Sequence, residues 1–235
     1  MGTFKLRNRA WGERIFDRLQ SARLAVLMQS EFLISALVTL FVVVDPIGLV
    51  PAFIGVTHGL AAKSQRSVAL RASLIAAAIL VGAALIGGWL LTKLSISLPA
   101  FRIAGGLLLF SIASEMVFGW RTERQSRSAE QALEEHVRNI AAFPLAIPLM
   151  AGPGAITAAV LLAGRVDADM FRMTALLGVI LAICALCFVI FILAGRISRL
   201  LGVTGNIVLS RLLGVLLAAL AVQFVVDGVR DIWMR

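Results

Sequence analysis

A carboxylate lies inside an apolar run near the start of the chain, in Phe-Val-Val-Val-Asp45-Pro46-Ile-Gly48-Leu-Val-Pro51. A charged side chain at the centre of a membrane helix costs roughly 2.5–3.5 kcal/mol on insertion scales, so it normally faces a cavity or a partner. Each proline removes a backbone donor, and the residue before a proline resists helical geometry. Asp45 can therefore bind a substrate ammonium group, carry a proton or cap the following half-helix, and these roles are compatible.

A second interrupted segment lies in the other half of the chain, in Phe-Pro144-Leu-Ala-Ile-Pro148-Leu-Met-Ala-Gly152-Pro153-Gly154-Ala-Ile-Thr157. Two glycines flanking a proline disfavour continuous helix and leave peptide groups uncovered, although a kinked helix packed on its neighbours is the alternative. Two such breaks at matching places point to a transporter's binding site near the bilayer midplane. The predicted substrate-binding residues are Asp45, Pro46, Gly48, Gly152, Pro153, Gly154 and Thr157, and the predicted helix-breaking residues are Pro51, Pro144 and Pro148.

The composition is that of a membrane protein, because 60% of the 235 residues are apolar and only 15% are charged. Several apolar runs exceed the roughly 20 residues that cross a bilayer. The net charge of +9 comes from Lys and Arg placed mostly beside these runs, where lipid and topology explain it better than nucleic acid does. We predict an all-α polytopic protein with six spans, at about 32–57, 68–92, 98–118, 140–163, 173–195 and 207–229.

The third and sixth predicted spans resemble each other. Arg102 and Arg211 are 109 residues apart, as are Gly105 and Gly214. The two interrupted segments match at nearly the same offset. Each half holds three spans, which is an odd number, so the two halves must have opposite orientations in the membrane. We predict two inverted-topology three-helix repeats in which helices 1 and 4 are broken.

This repeat divides the chain into four parts, namely a basic amphipathic extension at 1–30, a first repeat at 31–119, a polar connector at 120–139 and a second repeat at 140–235. Met28 directly precedes the first span and is an alternative start of the chain. Both starts are kept as alternatives, one with the extension in the native protein and one without it. Counting Lys and Arg from Met28 favours both termini outside and the polar connector in the cytoplasm.

Four ionisable residues near the ends of the spans have structural or gating interpretations. Arg102 and Arg211 can extend their side chains to lipid headgroups, or can form ion pairs with Asp227 or Glu115. The glycines of the third and sixth spans, Gly105 and Gly214 among them, favour close helix crossing over ligand binding. His58 and His136 are too far apart in sequence to suggest a metal site, and we predict neither a metal nor a cofactor.

Together these motifs resemble the MarC family of bacterial and archaeal inner-membrane proteins. The resemblance rests on Asp-Pro-Ile-Gly-x-x-Pro-x-Phe, Leu-Pro-x-x-Arg-Ile-Ala-Gly-Gly, Pro-Leu-Ala-Ile-Pro-Leu-x-Ala-Gly-Pro-Gly and the final Arg-Leu-x-Gly with Asp-Gly-x-Arg, and it covers about residues 28–232. It implies a six-span fold and a grouping with neutral amino acid transporters, some of them proton-coupled. Some members carry Asn at the position of Asp45, which favours a polar or capping role there.

These observations favour an inner-membrane secondary transporter of a small neutral solute, with neutral amino acids as the expected class and H⁺ or Na⁺ as the coupling ion. The alternatives are a structural or regulatory membrane protein and an exporter of larger amphipathic compounds. An intramembrane enzyme would need paired catalytic groups at one depth, and none is evident. The expected partners are a small-molecule solute, membrane lipid and, as an open alternative, further copies of the chain in a homo-oligomer, whereas nucleic acid is not expected.

Overall fold

The computed structural model of the protein describes residues 29–120, 141–166 and 169–234. Most of these residues are helical, and no β-strand occurs among them. The predicted extension at 1–30 and the predicted connector at 120–139 lie almost entirely outside the described ranges. The helices are α1 Gln29–Val44, α2 Val50–Val56, α3 Ala62–Lys93, α4 Leu98–Phe118, the π-helical α5 Ala141–Met150, α6 Pro153–Ala163, α7 Met170–Ile192 and α8 Ala194–Trp233.

Four helices are long and apolar enough to cross a bilayer. They are α3, α4, α7 and the Thr204–Trp233 part of α8, which follows a kink at Gly202 with a φ of 60°. Large apolar side chains on their outer faces are exposed, as expected for contact with lipid; examples are Leu74, Trp89, Leu107 and Leu212. The prediction of a multi-pass, all-helical membrane protein is confirmed, while the count of six spans and the inverted repeat stay predictions.

Two of the shorter helices, α2 and α6, lie in the interior of the bundle. Most of α6 is buried, and it packs against α3 and α4. Helix α2 packs against α8 and α7, where the Phe53 ring stacks on the Phe191 ring with their centroids 4.6 Å apart. The long helices therefore enclose the two interrupted segments.

Helices α4 and α8 pack against each other more extensively than any other described pair, and their contacts run in antiparallel order. At three levels spaced seven residues apart, a glycine on one helix approaches a backbone carbonyl on the other. The pairs are Gly106 with Ala221, Gly214 with Ala113, and Gly228 with Pro99. Without a side chain at these points the backbones approach closely, which is how membrane helices gain packing energy in the absence of water.

Gly106→Ala is expected to destabilise the protein. An added Cβ atom would lie 2.7 Å from the Ala221 carbonyl oxygen. A backbone atom cannot relieve this clash by a change of rotamer, as the end of a flexible side chain can. We expect the free energy of unfolding to fall by about 1–3 kcal/mol, measured by reversible denaturation in detergent. Gly82→Ala on α3 is the matched control, because its added methyl group meets nothing within 4 Å. Equal stability of the two variants would contradict the packing argument.

Candidate functional site

The first interruption is a tight turn between α1 and α2. Helix α1 ends with the Asp45 amide donating to the Phe41 carbonyl at 3.0 Å. Asp45 itself has a φ of 52°, in the left-handed region that Asp tolerates better than most residues. Pro46 cannot donate a backbone hydrogen bond, and Pro51 lies in the first turn of α2. The two prolines thus explain why the chain leaves the helix at Asp45 and resumes it at Val50.

The Asp45 carboxylate is buried, with only 1% of the residue exposed. Its Oδ1 accepts a hydrogen bond from the Gly48 amide at 3.0 Å, the geometry of a helix cap. Its Oδ2 lies 3.5 Å from the Ser210 hydroxyl of α8, which donates a long hydrogen bond to it. An added Cβ atom at Gly48 would lie 2.0 Å from Oδ2, so glycine is needed here for the carboxylate to keep this position. The carboxylate therefore joins the first break to a helix of the other half.

The second interruption separates α5 from α6. Helix α5 has π-helical hydrogen bonding and contains Pro144 and Pro148, neither of which can donate a backbone hydrogen bond. The Ala151 amide donates to the Ala146 carbonyl at 2.9 Å, and Gly152 is extended with a φ of −71° and a ψ of 172°. Pro153 then starts α6, which has no side-chain cap. The amides of Gly154 and Ala155, in the first turn of α6, therefore have no side-chain cap as acceptor.

The two interruptions adjoin in the interior. A Cβ atom at Gly154, in the first turn of α6, would lie 3.4 Å from a methyl carbon of Val43, two residues before Asp45. The same position is 2.4 Å from the end of the Ile112 side chain on α4, so the glycine permits the close approach. The structure thus brings the first turn of α6 beside the end of α1.

Thr157 lies apart from this junction. It is buried one turn further along α6, and its methyl carbon is 2.5 Å from where a Cβ atom of Gly105 would be. Thr157 makes no hydrogen bond to Asp45. Thr157 therefore packs on α4, and Ser210, which the sequence did not single out, reaches Asp45 instead.

Arg102 forms an ion pair with Asp231 near the C-terminal end of α8, and its side chain is only 11% exposed. The sequence suggests Asp227 or Glu115 as the partner of Arg102, and the observed partner differs from both. Glu115 lies on the same helix 13 residues beyond Arg102, a rise of roughly 20 Å, which excludes direct contact. Asp231 lies one helical turn after Asp227 in α8, and it is this turn that lies beside Arg102.

Asp227 has two other partners. One of its oxygens accepts from Arg165 at 2.9 Å, and the other accepts from Gln223 at 2.7 Å. The Arg165 guanidinium also lies over the Phe224 ring, 5.0 Å from its centroid. Burial lowers the pKa of Arg165 from its ordinary value, and the Asp227 carboxylate opposes this shift. The contacts of Arg165 with Asp227 and Phe224 therefore hold the C-terminal end of α6 against α8.

Arg211 lies at the opposite end of the α4–α8 pair. Its guanidinium is 3.9 Å from the Cβ position of Gly119, which caps α4 in a left-handed conformation. Among residues 29–120, 141–166 and 169–234, Arg211 forms no ion pair. Within these ranges no three His, Cys, Asp or Glu residues cluster so as to hold a metal ion.

Comparison with known proteins agrees with this membrane architecture. A model of the MarC family of integral membrane proteins matches residues 30–233. A UPF0056 membrane protein of Archaeoglobus fulgidus is 35% identical over 201 residues, covering 85% of this chain and 93% of the relative. The UPF0056 membrane protein YhcE of Escherichia coli is 35% identical over 195 residues, covering 83% and 90%. No solved structure matches the chain. This chain belongs to the MarC family of integral membrane proteins.

Proposed function

We propose that the protein is a secondary transporter of a small neutral solute, of the neutral amino acid class, in the bacterial inner membrane. The observation that carries this proposal is the buried Asp45 carboxylate at the junction of the two interrupted segments. A carboxylate inside a membrane bundle is costly, and it usually marks a path for a substrate or an ion. Irregular backbone at this depth is likewise tolerated where it is buried in protein or lines a path.

The junction offers complementary groups for an amino acid. The first-turn amides of α6 carry the positive end of the helix dipole and suit a solute carboxylate. The Asp45 carboxylate suits the solute ammonium group, and Ser210 adds a hydroxyl group beside it. An added Cβ atom at Gly154 would lie 3.4 Å from a methyl carbon of Val43, so these two sets of groups are in the same region of the interior. A neutral zwitterion would therefore meet an opposite charge at each of its ends.

The helix contacts support the proposed pair of repeats, residues 31–119 and 140–235. If α1 and α2 correspond to α5 and α6, then α3 corresponds to α7 and α4 to α8. The contact of α4 with α6 is matched by that of α8 with α2, and the contact of α3 with α6 by that of α7 with α2. In this scheme the α4–α8 pair is the common scaffold, and α2 and α6 are the elements that open alternately to the two sides.

Coupling to an ion fits the same site. Proton coupling would use protonation of Asp45, which removes its charge and releases its attraction for an ammonium group. Sodium coupling would use the carboxylate together with the backbone carbonyls that the break at 45–49 frees. An imposed pH gradient and an imposed Na⁺ gradient distinguish the two.

The test is uptake of radiolabelled glycine and alanine by liposomes containing the purified protein. We expect accumulation above that of protein-free liposomes, driven by a pH or Na⁺ gradient and abolished by the matching ionophore. Absence of uptake for every neutral amino acid, under both gradients, would contradict the proposal and favour a structural or regulatory role. Uptake of large amphipathic compounds alone would favour the exporter.

A further inference from the structure

A charged pocket opens at the end of the molecule where α4 begins and where α6 and α8 end. Its volume is about 620 Å³, and we call it the zwitterion pocket. Its charged lining residues are Arg102, Arg165, Asp227, Arg230 and Asp231. The pocket is separate from the Asp45 junction, because α6 lies between them and its 11 residues span roughly 16 Å.

Two charged groups that line this pocket are not fully used by ion pairs within the described residues. Arg102 and Arg165 are each paired with one carboxylate, and both oxygens of Asp227 accept hydrogen bonds. Arg230 is exposed and forms no ion pair within the part of the chain that the structure describes. In the same ranges only Oδ2 of Asp231 has a hydrogen-bond partner, although its side chain is 45% exposed. Arg230 is thus a lining guanidinium without a carboxylate partner in these ranges, and Asp231 keeps one carboxylate oxygen without a donor.

These two groups line the same pocket without pairing with each other. Arg230 and Asp231 are consecutive in α8, so their side chains leave the helix about 100° apart. Asp231 is held by Arg102, on the neighbouring helix. A cation and an anion kept apart in one pocket can each bind the oppositely charged end of one small molecule. A guanidinium fits the paired oxygens of a carboxylate or phosphate, and a carboxylate oxygen accepts from an ammonium group.

We propose that the zwitterion pocket binds a small zwitterion, with its anionic oxygens on Arg230 and its ammonium group on Asp231. Two sources share this chemistry. One is a free amino acid, for which the pocket would be an entry site, and this case rests on the proposed function. The other is the phosphoethanolamine headgroup of a membrane lipid, which the position of the pocket at the helix ends would favour.

The experiment is isothermal titration of the full-length protein in maltoside detergent with glycine, phosphoethanolamine and acetate. Arg230→Gln removes the available guanidinium and is expected to weaken binding of at least one zwitterion by roughly tenfold or more. Arg199→Gln removes another exposed arginine of α8, at its opposite end, and is expected to leave binding unchanged. The melting temperature of each variant is measured in parallel and is expected to equal that of the wild type.

The pattern of losses identifies the ligand. Weaker binding of glycine by Arg230→Gln supports a free amino acid as the ligand. Weaker binding of phosphoethanolamine supports the lipid headgroup. In that case native mass spectra of the variant also show less bound phosphatidylethanolamine. Unchanged binding of both, an equal loss in Arg199→Gln, or wild-type binding of acetate as tight as that of the zwitterions would overturn the proposal. Binding is measured without transport, so the two proposals can fail separately. If the wild type does not transport amino acids, but Arg230→Gln binds phosphoethanolamine more weakly than the wild type does, only the proposed function is refuted.

Discussion

Asp45→Ala is expected to reduce amino acid uptake to the level of protein-free liposomes while the protein remains in the membrane. The substitution removes the charge that would face the solute ammonium group or carry the coupling proton. It also leaves the Gly48 amide without its carboxylate acceptor, which costs about 1–3 kcal/mol of folding free energy. Removing a charge from an apolar interior offsets part of that cost. Uptake is measured in liposomes with matched amounts of protein, and normal uptake would exclude both the binding and the coupling role.

Asp45→Asn separates charge from capping. The asparagine side-chain oxygen can still accept from the Gly48 amide, so the turn is expected to keep its geometry and stability. If the negative charge holds the solute, uptake falls by roughly tenfold or more, as expected for one lost charge-assisted hydrogen bond. Near-normal uptake in Asp45→Asn together with no uptake in Asp45→Ala would assign Asp45 a polar or capping role, without coupling.

Asp169→Ala is the matched control for loss of a helix cap. The Asp169 side chain caps α7 by accepting from the Phe171 amide at 2.9 Å, as Asp45 caps the turn before α2. Asp169 lies at the end of α7 and is 42% exposed, away from the interior junction. We expect this substitution to cost about 1 kcal/mol of stability and to leave uptake unchanged. Equal losses of uptake in the two variants would mean that uptake follows stability alone.

The interruptions of the helices could be predicted from the sequence because their cause is local. Pro46 and Pro153 remove backbone donors, and the residues around them cannot continue an α-helix. The observed breaks, at 45–49 and 151–152, lie inside the predicted segments. The spans at 68–92, 98–118, 173–195 and 207–229 follow from apolar runs, and the structure has a long apolar helix in each place.

The partners of the charged residues could not be predicted in the same way. Ser210 reaches Asp45, and Asp231 reaches Arg102, only because α8 has one particular rotation and register in the bundle. That register depends on the glycine–carbonyl contacts between α4 and α8, which involve positions more than a hundred residues apart. A serine in an apolar helix and an aspartate one turn after Asp227 are weak signals by themselves. Side-chain pairs between different helices therefore cannot be predicted from the sequence alone.

Gly48→Ala is the second variant expected to abolish uptake, although it leaves the Asp45 carboxylate chemically intact. A Cβ atom at this position would lie 2.0 Å from Oδ2 and 2.6 Å from the carboxylate carbon of Asp45, so the carboxylate must leave its place beside Ser210. We expect a loss of stability of about 1–3 kcal/mol, measured by denaturation, and uptake close to that of Asp45→Ala. Gly88→Ala on α3, where nothing lies within 4 Å of the new methyl group, is expected to transport normally. Full activity of Gly48→Ala would show that transport does not depend on where the turn holds the carboxylate, and the site at this junction would then have to be abandoned.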